Sequence, residues 1–183
     1  MTVPQATGIM TYSQYSDLVA HLALGKETSG AEHSEERIAA TLLNAQRMKR
    51  LNKTYVSSAA ARQLMANLNV NWTWLVLAES WCGDGAQIIP VIAGLAALQP
   101  SISLQVALRD ANPSLMDHFL TNGNRAIPKL ICYDTQTKEV IGSWGPRPAA
   151  IQDKVRTFKQ ENPGATHEAF LQELHAWYAK DKG

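Results

Sequence analysis

Apolar positions recur at helical spacing through the first third of the chain, and at strand-like density from Trp72 onward. In "TYSQYSDLVAHLALG", Tyr15, Leu18, Val19 and Leu22 share one helical face; Thr11 or Ser13 can cap the start, and Gly25 ends the run. A polar connector, "GKETSG", leads to a longer helix with Ser34 as cap. Glu35 and Glu36 at its start, and Arg47, Lys49, Arg50 and Lys53 near its end, suit the helix dipole. Its apolar face is expected to be Ile38, Leu42, Ala45, Met48 and Leu51, with the "RMKRLNK" charges on a solvated face. A third helix is expected from Ser57 to about Leu68. Then "TWLVLAES" and "ISLQVALRD" form continuous apolar runs, the pattern of strands covered on both faces. The helical stretch Asp84 to Leu98 lies between them, giving a βαβ unit. A short helix starting at Pro113 and stopping at Gly123 precedes a hairpin of "PKLICYD" and "KEVIGSW", and two helices separated by Asn162, Pro163 and Gly164 close the chain. The layout predicts an α/β protein in which residues 1–70 form a helical extension packed on the core and residues 71–183 a sheet-centred domain with a C-terminal helix.

Charge narrows the range of partners. Lys and Arg total 17 against 16 Asp and Glu, a formal net charge of +1. The basic field that draws proteins onto nucleic acid is absent, so no nucleic-acid partner is expected. No signal-peptide pattern opens the chain, and no run approaches the ~18 apolar residues of a membrane helix. No membrane association and a cytoplasmic location are therefore expected. In a reducing compartment the two cysteines, Cys82 and Cys132, favour a reactive thiol over a structural disulfide. The histidines lack ligand spacing: His167 and His175 stand more than two helical turns apart, and neither a metal nor a cofactor is expected.

The run "ESWCGDG", Glu79 to Gly85, follows the first strand directly. Together with Pro90, "DANP" at Asp110 to Pro113, "AIPKL" at Ala126 to Leu130 and the "KEV" hairpin, it resembles the thioredoxin family in both order and spacing. With "LTNGNRAIPKL" and "SWGPRP", it also looks like a narrower bacterial branch marked by Trp-Cys-Gly-Asp. The resemblance spans roughly Trp72 to Gln160. It implies a thioredoxin-like central mixed sheet flanked by helices, to which the N-terminal helices and the extra C-terminal helix are additions.

Placed between a strand and a helix, Cys82 would face unpaired N–H groups and the positive helix end, which favour the nucleophilic thiolate. The nearby carboxylate of Asp84 opposes this, so Cys82 is expected to be less acidic than in two-cysteine thioredoxins. By resemblance, Trp81 shields the sulfur and Pro128, after Ile127, is the cis-proline that leaves a backbone edge free to pair with a peptide. Pro90 should kink its helix. Two departures from the family stand out. Gly85 replaces the resolving cysteine, and apolar Val76 stands where thioredoxins carry a buried acid. Cys132 is expected to be a core residue too far along its strand to substitute. In "SWGPRP", Trp144 offers an apolar face, Gly145 a close backbone approach and Arg147 a planar cation for a substrate anion or for Asp84, while Pro148 can simply start the next helix. The expected function is thiol redox chemistry through Cys82 alone. Its partner is a protein or low-molecular-weight thiol or disulfide, and the mixed disulfide is resolved by an external thiol. The alternative is a non-catalytic module of the same fold that binds an extended peptide or protein partner.

Overall fold

A computed structural model describes residues 1–181. It contains seven helices and four strands: α1 (Tyr12–Gly25), α2 (Glu35–Thr54), α3 (Ala59–Ala66), β1 (Trp72–Ala78), α4 (Gly83–Ala96), β2 (Ile102–Leu108), α5 (Pro113–Asp117), β3 (Lys129–Asp134), β4 (Val140–Trp144), α6 (Ala149–Glu161) and α7 (His167–Asp181). The chain divides into two compact units, Met1–Pro146 and the segment from Arg147 onward.

In the first unit the strands lie in the order β2-β1-β3-β4. The β1–β2 pair is parallel, with Val76 opposite Val106, and β3 is antiparallel to both β1 and β4. This mixed sheet with α4 as the crossover is a thioredoxin-like arrangement. Central placement explains the uninterrupted apolar sequence of β1, since Leu75, Val76, Leu77 and Ala78 are all at most 1% exposed. Full burial of each large side chain stabilises the fold by about 1.5–3 kcal/mol. One face of the sheet carries Leu75, Leu77, Ala107, Ile131 and Tyr133 in a cluster with Cys82, Ile127, Leu115, Met116 and Phe119. Trp72, Trp74, Ile102 and Leu104 occupy a second cluster with Met65 of α3 and Ala96 of α4.

The first ten residues pair with both outer strands. Thr2 bridges to Glu139 and Met10 to Val106, while Val3 and Ala6 pack on the cluster that contains Cys82. This segment occupies part of each free sheet edge, where unpaired N–H and C=O groups would otherwise remain.

Helix α1 starts at Thr11 with a reciprocal capping box to Gln14 and ends at Gly25, followed by Lys26 in the left-handed conformation. Ser34 caps α2 and Ser58 caps α3. The inward face of α2 differs from the apolar expectation: Thr41 and Asn44 are fully buried along with Met48 and Leu51, whereas Leu42 is 50% exposed. The physical reason is polar. Thr41 and Asn44 hydrogen-bond the turn after β1, and that requirement sets the rotation of the helix. Helix α5 is also shorter than expected, and Cys132 is half-buried rather than part of the core. Pro90 lies inside α4.

In the second unit, α6 and α7 pair through Phe158 and Phe170, whose ring centroids are 5.9 Å apart, and through buried Ile151, Val155 and Leu174. Pro148 occupies the N-cap position of α6. Among the described residues no helix is long and apolar enough to cross a membrane.

Candidate active site

Strand β1 ends at Ala78, and Glu79, Ser80 and Trp81 turn the chain into α4 with Cys82 as N-cap. The Cys82 N–H donates to the Glu79 carbonyl at 3.1 Å, closing the turn. Cys82 Sγ then accepts from the Gly85 N–H at 3.3 Å, one of the donors a helix start leaves unpaired. The thiol donates to the Ile127 carbonyl at 3.4 Å. The Ile127–Pro128 peptide bond is cis, and the pairing of Leu77 with Lys129 sets Pro128 just beyond the carboxyl end of β1. Sequence-distant Cys82, Ile127 and Pro128 thus meet at one end of the sheet. Cys82 retains 8% exposure and Ile127 7%.

Trp81 packs on the cluster that contains Cys82. Two guanidinium groups lie over its ring, Arg37 of α2 at 4.2 Å and Arg109 after β2 at 5.0 Å from the centroid. The Trp81 Nε1 is buried with no hydrogen-bond partner. Asp84 is buried in the first turn of α4. The half-buried Arg47 of α2 senses its charge: burial and Arg50 lower the Arg47 pKa, whereas the Asp84 carboxylate raises it. Arg50 donates to Gln87 of α4 at 3.2 Å. Arg47 is therefore site-facing, which corrects its assignment to a solvated face, whereas Arg50 is exposed. Gly145 follows β4 at φ +121° and lies directly on the Pro128 carbonyl, while Trp144 pairs with Leu130 and is 38% exposed. Arg147 opens the second unit.

Sequence reasoning missed a buried polar network behind the cysteine. Val76 is fully buried, and besides Asp84 the site holds a second buried acid, Glu79, also 0% exposed. Its Oε2 accepts from the Ser29 hydroxyl and its Oε1 from the Asp110 N–H at 2.9 Å. Ser29 and Ser80 exchange a reciprocal pair: the Ser80 N–H donates to Ser29 Oγ at 2.8 Å, and the Ser29 N–H donates to Ser80 Oγ at 2.9 Å. Thr28, Thr41 and Ser80 join their hydroxyls, and Asn44 Nδ2 donates to the Ser80 carbonyl at 2.9 Å. The apparent linker "GKETSG" is thus a structural part of the cysteine turn. The available signal was an acid closing an otherwise apolar strand.

Burial pushes the Glu79 carboxyl pKa up, against the lowering effect of the Ser29 and Asp110 hydrogen bonds. Tyr15, buried on α1, is held well above its usual value by burial, reinforced by the charges of Cys82 and Glu79. Lys129 is buried beside Pro128 with its amine on Thr121 Oγ1, and burial lowers its pKa. A raised acid keeps its proton longer in the folded state than in the unfolded one. Stability linked to Glu79 is therefore greatest below the usual 4.5 and declines as pH rises from there to the folded value. Glu79→Gln should flatten that part of the profile, with its stability relative to wild type rising with pH across the interval. Urea unfolding between pH 4 and pH 8 measures the difference, and parallel profiles would contradict the assignment.

Among the described residues no group of three or more His, Cys, Asp or Glu is placed to hold a metal ion. The Cys132 thiol, raised by burial, lies on β3 opposite Trp74 and Gly142. Its row on the sheet is that of Trp74, so it faces away from the cluster around Cys82.

Two solved structures are similar to this one. A protein of unknown function, PA1234 from Pseudomonas aeruginosa, has a TM-score of 0.56 at 20% identity, with 94% of this chain and 89% of that chain covered. A 4E10 HIV epitope-scaffold has a TM-score of 0.51 at 20% identity, with 79% and 82% covered. Both likenesses concern the fold. No curated protein matches the chain. The thioredoxin family model matches residues 30–161, from the connector that holds Glu79 through the end of α6. Across the cysteine turn, the sheet and the helices that frame them, the chain belongs to the thioredoxin family.

Proposed function

We propose that the protein is a thiol redox protein of the Trp-Cys-Gly-Asp branch that forms mixed disulfides through Cys82 alone. The observation that carries this reading is the placement of Cys82 Sγ at the N-cap of α4, between the Gly85 N–H and the Ile127 carbonyl that precedes cis-Pro128. The Gly85 N–H and the helix end supply fixed positive partial charge to a thiolate. The thiolate attacks one sulfur of a substrate disulfide, a new S–S bond forms to Cys82, and the other substrate sulfur leaves with the bonding electron pair. Gly85 offers no second thiol, so an external thiolate attacks the mixed disulfide and returns Cys82 to the reduced state. A reducing compartment such as the cytoplasm supplies that thiol.

A neutral aromatic disulfide such as dithiodipyridine tests the reading, because its released thione is coloured. Wild type and Cys132→Ser should show a fast reaction that Cys82→Ser lacks. Labelling confined to Cys132, or absent in native protein, would refute it. The 8% exposure of Cys82 favours a second reading, a non-catalytic module holding an extended peptide along the edge freed at Pro128. Partner binding left intact by Cys82→Ala would select it.

A further inference from the structure

We propose that the disulfide or resolving thiol accepted at Cys82 is a small anionic molecule, its carboxylates received by Arg37 and Arg109, which lie over the ring of Trp81. This rests on the reading of Cys82 as the reacting sulfur. Trp81 precedes that sulfur in the chain and packs on the same cluster, and the only cations over its ring among the described residues are these two guanidiniums. They come from opposite parts of the sequence, one from α2 and one from the end of β2, and converge on one side chain. Each remains accessible, with side-chain exposures of 23% for Arg37 and 18% for Arg109.

Arg109 is held in place by Asp110, to whose Oδ1 its Nε donates at 2.8 Å and its Nη2 is ion-paired at 2.7 Å. Its Nη1 donates to the Arg125 carbonyl at 3.3 Å, two residues before Ile127, which ties the cation to the loop that meets the sulfur. A guanidinium has five N–H donors, so donors remain for a ligand. Arg37 pairs with Glu32 at 2.9 Å, but Glu32 is 62% exposed and a carboxylate arriving from solvent can displace it at small cost. Asp84, the acid nearest in sequence to the sulfur, meets the charge of Arg47 from α2. Apart from the buried Trp81 Nε1, the uncommitted donors at this side chain are thus cationic, and they lie on an aromatic surface suited to the apolar arm of a thiol ligand.

The exchange step is balanced as before: the Cys82 thiolate bonds one sulfur of the anionic disulfide, and the other half leaves as its thiolate. The test compares oxidised glutathione, which is anionic, with cystamine, which is dicationic. Rates at Cys82 are measured at low ionic strength, each divided by the rate of the same disulfide with a free neutral thiol. The normalised ratio should favour oxidised glutathione by about tenfold and shrink on adding salt. Arg37→Gln and Arg109→Gln should each reduce it toward one. Arg37→Gln provides the cleaner arm because the only ion-pair partner of the Arg37 side chain among the contacts described is exposed Glu32. A wild-type ratio of one or less, or a ratio unchanged in both variants, overturns the inference while leaving Cys82 chemistry standing. Failure of both disulfides and of the neutral aromatic reagent overturns the underlying reading as well.

Discussion

Gly145→Ala should destabilise the protein by about 3–5 kcal/mol, combining a backbone conformation alien to L-residues with overpacking against main chain. Gly145 has φ +121°, and a Cβ there would penetrate the Pro128 carbonyl oxygen while standing 3.3 Å from the Pro128 carbonyl carbon and 3.5 Å from Lys129 Cα. Every one of these neighbours is backbone, so no side chain can rotate away. Relief requires moving β4 from β3 or shifting the Ile127–Pro128 segment, and Ile127 is the residue whose carbonyl receives the Cys82 thiol. The loss therefore reaches the site. Denaturant unfolding should show a lower midpoint, with a melting temperature reduced by roughly 6–20 °C for a domain of this size. Reaction of Cys82 with a disulfide should change in the same variant. A stability within ~0.5 kcal/mol of wild type would mean that the turn after β4 does not press on Pro128.

The legible parts of this molecule are those in which burial is apolar and local. Strand β1 was readable because both of its faces are covered, leaving no polar interruption from Leu75 to Ala78. The cap at Ser34 was readable, and that of α1 was narrowed to Thr11 or Ser13, because a hydroxyl at the start of a helical pattern has few other uses. The rotation of α2 was not. A hydrophobic pattern counts Leu42 as inward and Thr41 and Asn44 as outward, yet Thr41 and Asn44 satisfy Ser80, whose hydroxyl and carbonyl are buried by the fold. An unsatisfied polar group there would cost ~1–3 kcal/mol, comparable to the gain from burying one leucine. The partner lies 39 residues away from Thr41, so no local window contains the information.

The same limit explains the connector. Thr28 and Ser29 have turn-like neighbours and no periodicity, but they are buried because Glu79 and Ser80 need partners. The N-terminal segment joins the sheet through single bridges at Thr2 and Met10, which leave no alternating pattern to read. Helix α2, before the thioredoxin-like sheet, is consequently part of the candidate site. Arg37, Thr41, Asn44 and Arg47 all lie on α2 and all face the turn that carries Trp81, Cys82 and Asp84 or its immediate supports.

Gly85→Cys should convert the one-sulfur site into a self-resolving pair. A Cβ built on Gly85 stands 3.5 Å from Cys82 Cβ and 3.6 Å from Cys82 Sγ. Disulfides span Cβ separations of about 3.5–4.5 Å, so the introduced thiol needs only a rotamer choice to reach the sulfur. The contact with Ile89 Cδ1 at 3.4 Å is with the far end of a side chain and is ordinary van der Waals contact. Replacing glycine by cysteine within α4 also improves helix propensity by about 0.1–0.3 kcal/mol, so the variant should fold. Under the proposed chemistry, a mixed disulfide on wild-type Cys82 persists until an external thiolate arrives. In the variant, the new thiolate attacks the Cys82 sulfur, the substrate thiolate departs with the electron pair, and an internal disulfide remains. Because the attacking group is held in place, release should accelerate by at least ~100-fold over wild type with millimolar external thiol. Intact-mass spectrometry should show the variant oxidised without an adduct, with Cys132 still free. Equal lifetimes of the mixed disulfide in both proteins would show that Cys82 Sγ does not point along the first turn of α4, which is the placement on which its proposed chemistry depends.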